Sequence, residues 1–334
     1  MKRYMPEQGK SGDGDTSYEV VVIGGGPAGL STALYTTRLN HDTALVNRGG
    51  GRAAMMLDTH NVIGVPESTS GGEFLGTAQD QLEHYGTDLI RGTVTDVTQI
   101  SDAPRFAITT GDQTLHADVV VFATGFSDNE ADRPLPRTGR GLHYCLHCDA
   151  YMFRDEPVYV MGHGNSAAYV AMIMLNFTDD VDLLLRGDDP TWSEHTGELL
   201  AAHPVDVVDA EITDMFRDEE DPSWLGGFAF ADGTTREYTG GFAMYGSDYN
   251  NELATELGCD LNDDGTVAVD DEGRTSVDGV FAVGDLTPGH NQIPIAMGQG
   301  ADAGIAIHKR LRTFPKSLEE LQTDAVTPPS AADD

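Results

Sequence analysis

A chain of 334 residues with 39% hydrophobic content has the length for two domains of ordinary size and the material to fill their cores. Its 55 acidic against 20 basic residues leave a formal net charge of -35, which repels nucleic-acid phosphates and anionic membranes and argues against both as partners. The excess is spread along the whole chain, as in a solvated surface adapted to a halophilic, haloarchaeal cytoplasm where dense counterions screen self-repulsion.

Residues 1–17 run through Gly, Ser and Asp without an apolar period and are expected to form a flexible leader. No apolar signal segment or run of eighteen apolar residues occurs, so the expected location is cytoplasmic. Structure is expected from Tyr18, where YEVVVIGGGPAGLSTALYTTRL places a strand, a glycine turn and an apolar helix in succession, and ALVNRG follows as the next strand of a βαβ unit. A mixed region over 50–118 holds the predicted helix GGEFLGTAQDQLEHYG and the strand-like RFAITT, and HADVVVFATG is a further buried strand ending at a glycine.

The signature then restarts. PVYVMGHGNSAAYVAMIMLNF repeats strand, glycine turn and helix, and VDLLLRGDD supplies the following strand. Two copies, turning at Gly24 and Gly162, predict an α/β chain with two nucleotide-binding-type domains. VDGVFAVGDLTPG adds another strand of the first type, AMGQGADAGIAIHKRLRTF reads as a helix, and 315–334 reads as a loose tail.

Gly24, Gly26 and Gly29 form GxGxxG directly between an apolar strand and helix, with Pro27 and Ala28 opening the helix. Gly24 serves the tight turn, Gly26 the approach of a pyrophosphate, and Gly29 close packing of helix on strand. Asn47 ends the second strand, where an acid normally grips ribose hydroxyls; its amide can still hydrogen-bond but lacks the charge. Cys145 and Cys148, in HYCLHCDAYMF at 143–153, are two of three cysteines, too few for a secreted disulfide framework. Their spacing suits a redox pair, half of a zinc site or two inert buried thiols. Zinc needs two further ligands, and His143 and His147 are too compressed in sequence to close a tetrahedron readily, so no metal site is expected.

VVIGGGPAGLSTALY, VVFATG at 120–125, CLHCDAY at 145–151 and VFAVGD at 280–285 together resemble the FAD-dependent disulfide oxidoreductases of the low-molecular-weight thioredoxin reductase type, across about residues 18–312. The resemblance implies two Rossmann-like three-layer domains, the second inserted in the first: an FAD domain at 18–128 and 254–314, interrupted by an NAD(P)-binding-like domain at 129–253 that carries the cysteines. It implies FAD on Gly24, Gly26 and Gly29, with Asn47, Thr124, Gly125, Gly284, Asp285 and Ala296 completing the site and Gln299 near the flavin-facing helix start. It further implies a Cys145–Cys148 disulfide with Cys148 on the flavin side and Cys145 exchanging with substrate, Asp149 as their proton-transfer acid, and a homodimer.

The second turn, GHGNSA, matches the family's nicotinamide site with Gly162, Gly164, Ser166 and Ala167, but His163 intrudes where a small residue is usual. The basic cluster that would hold a 2'-phosphate is reduced to Arg186 among Asp188, Asp189 and Glu194. Three options follow: NADPH held weakly, NADH preferred, or a vestigial nucleotide domain. The leading expectation is reduction of a thioredoxin-like or small-molecule disulfide by NAD(P)H through FAD. Its alternatives are a flavin-dependent dithiol oxidase, a ferredoxin-linked reductase, or a non-catalytic flavin-bound redox sensor.

Overall fold

The structure is a computed structural model that describes residues 16–101, 105–130, 135–136, 138–318 and 321. Residues 1–15 of the expected leader and most of the expected tail lie outside the described residues; Thr16 and Ser17 already belong to the first strand.

β1 (Thr16–Ile23) carries Val20 to Ile23 with alternate residues facing opposite sides, and all four are buried. A strand covered on both faces is the centre of a parallel sheet. The chain crosses through α1 (Pro27–Arg38) to β2 (Thr43–Asn47), then through α2 (Gly71–Tyr85) to β3 (Asp88–Arg91), and β1, β2 and β3 pair in parallel. Pro27 opens α1 with a preset φ and no wasted N–H. Ser70 and Glu73 cap α2 reciprocally: Ser70 Oγ accepts from Glu73 N at 3.2 Å, and Glu73 Oε2 accepts from Ser70 N at 2.9 Å. β4 (Val94–Ser101), β5 (Arg105–Thr110) and β6 (Gln113–Phe122) follow as an antiparallel meander, and β6 returns to lie parallel to β1.

β7 (Phe126–Asp128) leaves this sheet. A second sheet takes β8 (Leu142–His143), then α3 (Leu146–Asp149), β9 (Val158–Met161), α4 (Asn165–Met174), β10 (Val181–Leu184), α5 (Glu194–Ala201) and β11 (Asp206–Val208). After the antiparallel β12 (Ile212–Arg217), β13 (Leu225–Phe230) and β14 (Thr235–Glu237), β15 (Gly240–Ala243) inserts between β9 and β8 to give the all-parallel order β11-β10-β9-β15-β8.

The return path is short. β16 (Ser247–Tyr249) pairs antiparallel with β7, α6 (Glu252–Glu256) follows, and β17 (Val280–Ala282) joins the C-terminal half of β6 in the first sheet. α7 (Ile293–Leu311) then packs on α1, where Ser31 Oγ donates to Met297 O at 2.7 Å. Four buried clusters cover the two faces of each sheet: Val21, Phe106 and Phe122 against Val20, Leu45 and Ile307 in the first, and Val160, Met174 and Leu183 against Tyr159, Met161 and Phe228 in the second. Each such side chain contributes roughly 1.5–3 kcal/mol of burial. The architecture is the expected one, two Rossmann-like sheets with the second interposed between strands of the first.

Candidate active site

A cavity of about 920 Å³ opens at the carboxyl ends of the parallel strands of the first sheet, the edge where such sheets bind ligands. Gly24, Gly26, Pro27, Ala28, Asn47, Thr124, Gly125, Gly284, Asp285 and Ala296 line it together. Gly24 has φ +114°, and a Cβ there would stand 2.3 Å from Ala123 O. Gly29 does not line the cavity; a Cβ on it would stand 2.0 Å from Gly24 O, so its role is the close approach of α1 to β1. Gly26 faces open space, and no side chain caps the N-terminus of α1. Free helical N–H groups beside an unfilled approach suit a pyrophosphate.

The rest of the cradle comes from loops. Asn47 Oδ1 accepts from Gly49 N at 3.0 Å, while its amide lies against Gly25. Gly49, Gly50 and Gly51 follow with open space at each, and Arg52 Nε donates to Asp128 Oδ2 at 2.7 Å. Burial raises the Asp285 carboxyl above the ordinary aspartate range, opposed by Arg52 and reinforced by Asp128. Thr124 Oγ1 donates to Asn250 O at 2.7 Å, and both residues line the cavity. Gln299 does not face the cavity: its Oε1 accepts from Gly284 N at 2.9 Å and buttresses the turn before Asp285.

Cys145 and Cys148 form a disulfide that lines the same cavity. It sits on α3, directly after β8 at the edge of the second sheet, so one sheet carries the sulfurs and the other carries the glycine turn they face. Cys145 O accepts from the backbone N of both Cys148 and Asp149 at 3.2 Å, which winds the two sulfurs onto one side of the turn. Gln292, just before α7, lays its amide over the pair, with Nε2 at 3.5 Å from Cys145 Sγ and 3.9 Å from Cys148 Sγ. Asn61 Nδ2 donates to Gln292 Oε1 at 2.7 Å and holds that amide in place. His147, between the cysteines, is exposed. Cys259 is buried among apolar side chains, which pushes its thiol pKa up and leaves it an inert thiol.

Asp149 Oδ2 lies 2.8 Å from His143 Nδ1, and its Oδ1 lies 3.5 Å from His60 Nδ1. Nothing in residue spacing points to His60, Gln292 or Arg52, which reach the site only through the fold. Two weaker signals were present in the chain: the glycine run after Asn47, and a histidine two residues before the first cysteine.

Gly162, Gly164, Ser166, Ala167 and Arg186 gather at the carboxyl end of the second sheet, away from this cavity. His163 Nδ1 is 3.6 Å from Asp188 Oδ2, and its ring meets Tyr245 edge-on at 6.1 Å. His163 O accepts from Thr191 N at 2.7 Å and Asn165 Oδ1 from Ser193 N at 2.9 Å, so the loop after β10 is tied across the turn. Arg186 stands beside Tyr245, whose hydroxyl is raised by burial and opposed by that guanidinium.

Two dinucleotide-binding sheets, a glycine-cradled cavity and a dithiol on its wall define a flavin-dependent disulfide oxidoreductase class. Residues 18–300 match the pyridine nucleotide-disulphide oxidoreductase family, and the chain belongs to it. It is 32% identical over 306 residues to thioredoxin reductase of Mycolicibacterium smegmatis, covering 87% of this chain and 95% of that one. It is 30% identical over 300 residues to a component of the alkyl hydroperoxide reductase of Staphylococcus epidermidis, covering 86% of this chain but spanning only 58% of that protein. The crystal structure of thioredoxin reductase from Streptococcus pyogenes MGAS5005 superposes with a TM-score of 0.80 at 27% identity, over 90% of this chain and 100% of that one. FAD is the cofactor that family and fold imply, and the open Gly26 approach with the uncapped α1 terminus fits its pyrophosphate.

Proposed function

We propose that the protein is a thioredoxin reductase-type enzyme, moving two electrons from a nicotinamide cofactor through FAD and the Cys145–Cys148 pair to the disulfide of a thioredoxin-like partner. The observation that carries this reading is the disulfide on the wall of the glycine-cradled cavity. FAD, when bound, supplies the hydride and two-electron chemistry. Gly24, Gly26, Pro27 and Ala28 hold its pyrophosphate at the α1 terminus, with Gly29 packing the helix close beneath, and Asn47, Thr124, Gly125, Gly284, Asp285 and Ala296 hold the remainder. Cys148 is the cofactor-side sulfur and Cys145 the partner-side one. The Cys145 thiolate attacks a partner sulfur to form a mixed disulfide; the Cys148 thiolate then attacks Cys145 Sγ, releasing the reduced partner and restoring the enzyme disulfide. Asp149 exchanges protons with the pair.

The same reading divides the chain into an FAD domain at 18–128 and 254–314 and an inserted domain at 129–253. The β7–β16 ribbon supports it, because its two strands stand at the two crossings. Family likeness supports a homodimer, and the charge of -35 supports a halophilic cytoplasm. The donor that the second turn favours is NADH, because Asp188 and Asp189 follow β10 where a 2'-phosphate would need cations.

Intrusion of His163 and its contact with Asp188 favours a second reading, in which electrons pass between flavin and small-molecule dithiols or ferredoxin. Anaerobic mixing of the holoenzyme with NADH, NADPH, reduced ferredoxin and a dithiol at high salt, followed at the visible flavin band, separates the two. Bleaching by NADH and recovery on adding an oxidised thioredoxin is the expected outcome. Failure of both nicotinamides, with bleaching by a dithiol or ferredoxin, transfers the assignment to the second reading.

A further inference from the structure

The acid beside the dithiol is gripped from two sides. Asp149 Oδ2 is 2.8 Å from His143 Nδ1, and the other oxygen, Oδ1, is 3.5 Å from His60 Nδ1. All three side chains line the cavity that holds Cys145 and Cys148. We propose that His143, Asp149 and His60 form a proton line for this dithiol, in which His143 orients the carboxylate and His60 exchanges its proton with solvent. The proposal rests on the exchange chemistry proposed above.

Burial falls in order along the line: the side chains are 5% exposed at His143, 20% at Asp149 and 34% at His60. An ionised carboxylate only accepts, so the proton of the short bond belongs to His143 Nδ1. His143 Nε2 is then a lone pair, buried and without a hydrogen-bond partner among the described residues. The ring is enclosed by Phe153, Phe242 and Trp224 at centroid distances of 5.2, 6.1 and 6.3 Å. A proton carried onward through Nε2 would find no acceptor there, so His143 serves as a fixed donor that orients the carboxylate.

With Oδ2 occupied, Oδ1 is the oxygen left for traffic, and His60 faces it. The loop bearing His60 is held on both sides: Thr59 N donates to Glu67 O at 3.0 Å, Thr59 Oγ1 to Thr69 O at 2.7 Å, and Asn61 to Gln292 above the sulfurs. His60 therefore stands where the same loop reaches the disulfide, and an incidental surface ion pair would not need that anchoring.

Reduction of the disulfide takes two electrons and two protons to reach the dithiol; exchange releases those two protons to solvent, and the partner's two thiolates take up two from it. One carboxylate holds one proton at a time. In the oxidative direction, a Cys148 thiol gives its proton to Asp149 Oδ1 and becomes the attacking thiolate. Protonated Oδ1 passes that proton to His60 Nδ1, the imidazolium loses its Nε2 proton to water, and water then moves the remaining proton from Nδ1 to Nε2, so that carboxylate and ring are both reset for the next transfer. Reduction runs the line in reverse.

The test is single-turnover mixing of anaerobically reduced holoenzyme with oxidised thioredoxin, with the visible flavin spectrum reporting intact cofactor binding in every variant. His60→Gln is expected to slow exchange about 10-fold, with the rate restored by added imidazole; Asp149→Asn should slow it roughly 100-fold with no response to imidazole. His143→Asn, whose amide can replace the Nδ1 donor, should exchange faster than His143→Leu. A His60→Gln enzyme at the wild-type rate, or a slow one that imidazole leaves unchanged, overturns the line. So does equal slowing by His143→Asn and His143→Leu; if His143→Leu fails to fold, the exposed His60 variant decides alone. Wild-type enzyme that exchanges no disulfide overturns the functional reading itself, an outcome distinct from normal exchange that ignores His60.

Discussion

The two glycine turns share a backbone and differ in what surrounds it. Each follows a parallel strand and begins at a positive-φ glycine, Gly24 at +114° and Gly162 at +140°, and each opens an apolar helix. A Cβ on either glycine would press on a neighbouring backbone oxygen, at 2.3 Å from Ala123 O in the first and 2.7 Å from Met244 O in the second. The first turn continues with Gly25 and Gly29, and the loop after its second strand is Gly49–Gly50–Gly51, with open space at Gly26 before the helix terminus. The second has His163 and Ala167 at the corresponding positions, and its loop carries Asp188 and Asp189. Geometry of the turn alone does not make a dinucleotide site; emptiness and charge in the following loop decide which ligand can enter. A carboxylate about 4 Å from a phosphate costs roughly 1 kcal/mol in water and about 4 kcal/mol at a protein surface.

The largest expected effect separates the dithiol from that comparison. Cys148→Ser lies outside both turns; it should keep bound flavin while disulfide turnover falls at least about 10³-fold, measured with an oxidised thioredoxin. Gly24→Ala should abolish flavin retention through purification and cost about 3 kcal/mol or more in urea unfolding, whereas Gly162→Ala should destabilise while leaving flavin bound. Equal flavin loss in the two glycine variants would erase the distinction between the turns. Asp188→Arg sharpens it from the other side: the half-saturating NADPH concentration for flavin reduction should fall about 10-fold, worth about 1.4 kcal/mol, with NADH little changed.

The smallest effect concerns Asp285 in the flavin-free protein. Its carboxyl is raised chiefly by burial. An acid raised on folding loses stability as pH climbs from the ordinary carboxylate range through its folded value, and the deficit is constant above that. Asp285→Asn removes the deficit, so the flavin-free variant should melt about 2 °C above wild type at pH 7. Scanning calorimetry should show that difference closing below about pH 4, where both states hold the proton.

Much of the fold was legible in short stretches because the forces that specify them are local. The unbroken apolar run VVVI, Pro27 at a helix start and glycine at an unavoidable positive φ all act within a few residues of one another. The CxxC spacing likewise brings two sulfurs within bonding reach through a single turn. Gln299 shows the limit: its position in the chain points to the cavity, yet its side chain satisfies the Gly284 N–H, a partner fifteen positions away. The surroundings of Asp149 lie further beyond sequence reading, because His60 arrives on the loop before α2 and Gln292 on the segment before α7.

By itself, then, the amino-acid order determined two strand–glycine–helix units, a dithiol between them and a strongly anionic surface, all consequences of spacing and composition. Only the tertiary structure decided that the dithiol, carried on the second sheet, faces the first sheet's cavity, and that one carboxylate beside it is held by two histidines distant from each other in sequence. The reason is physical: local backbone preferences act over a turn, whereas a site's electrostatics depend on which groups packing brings within about 4 Å, and that depends on how whole layers close on one another.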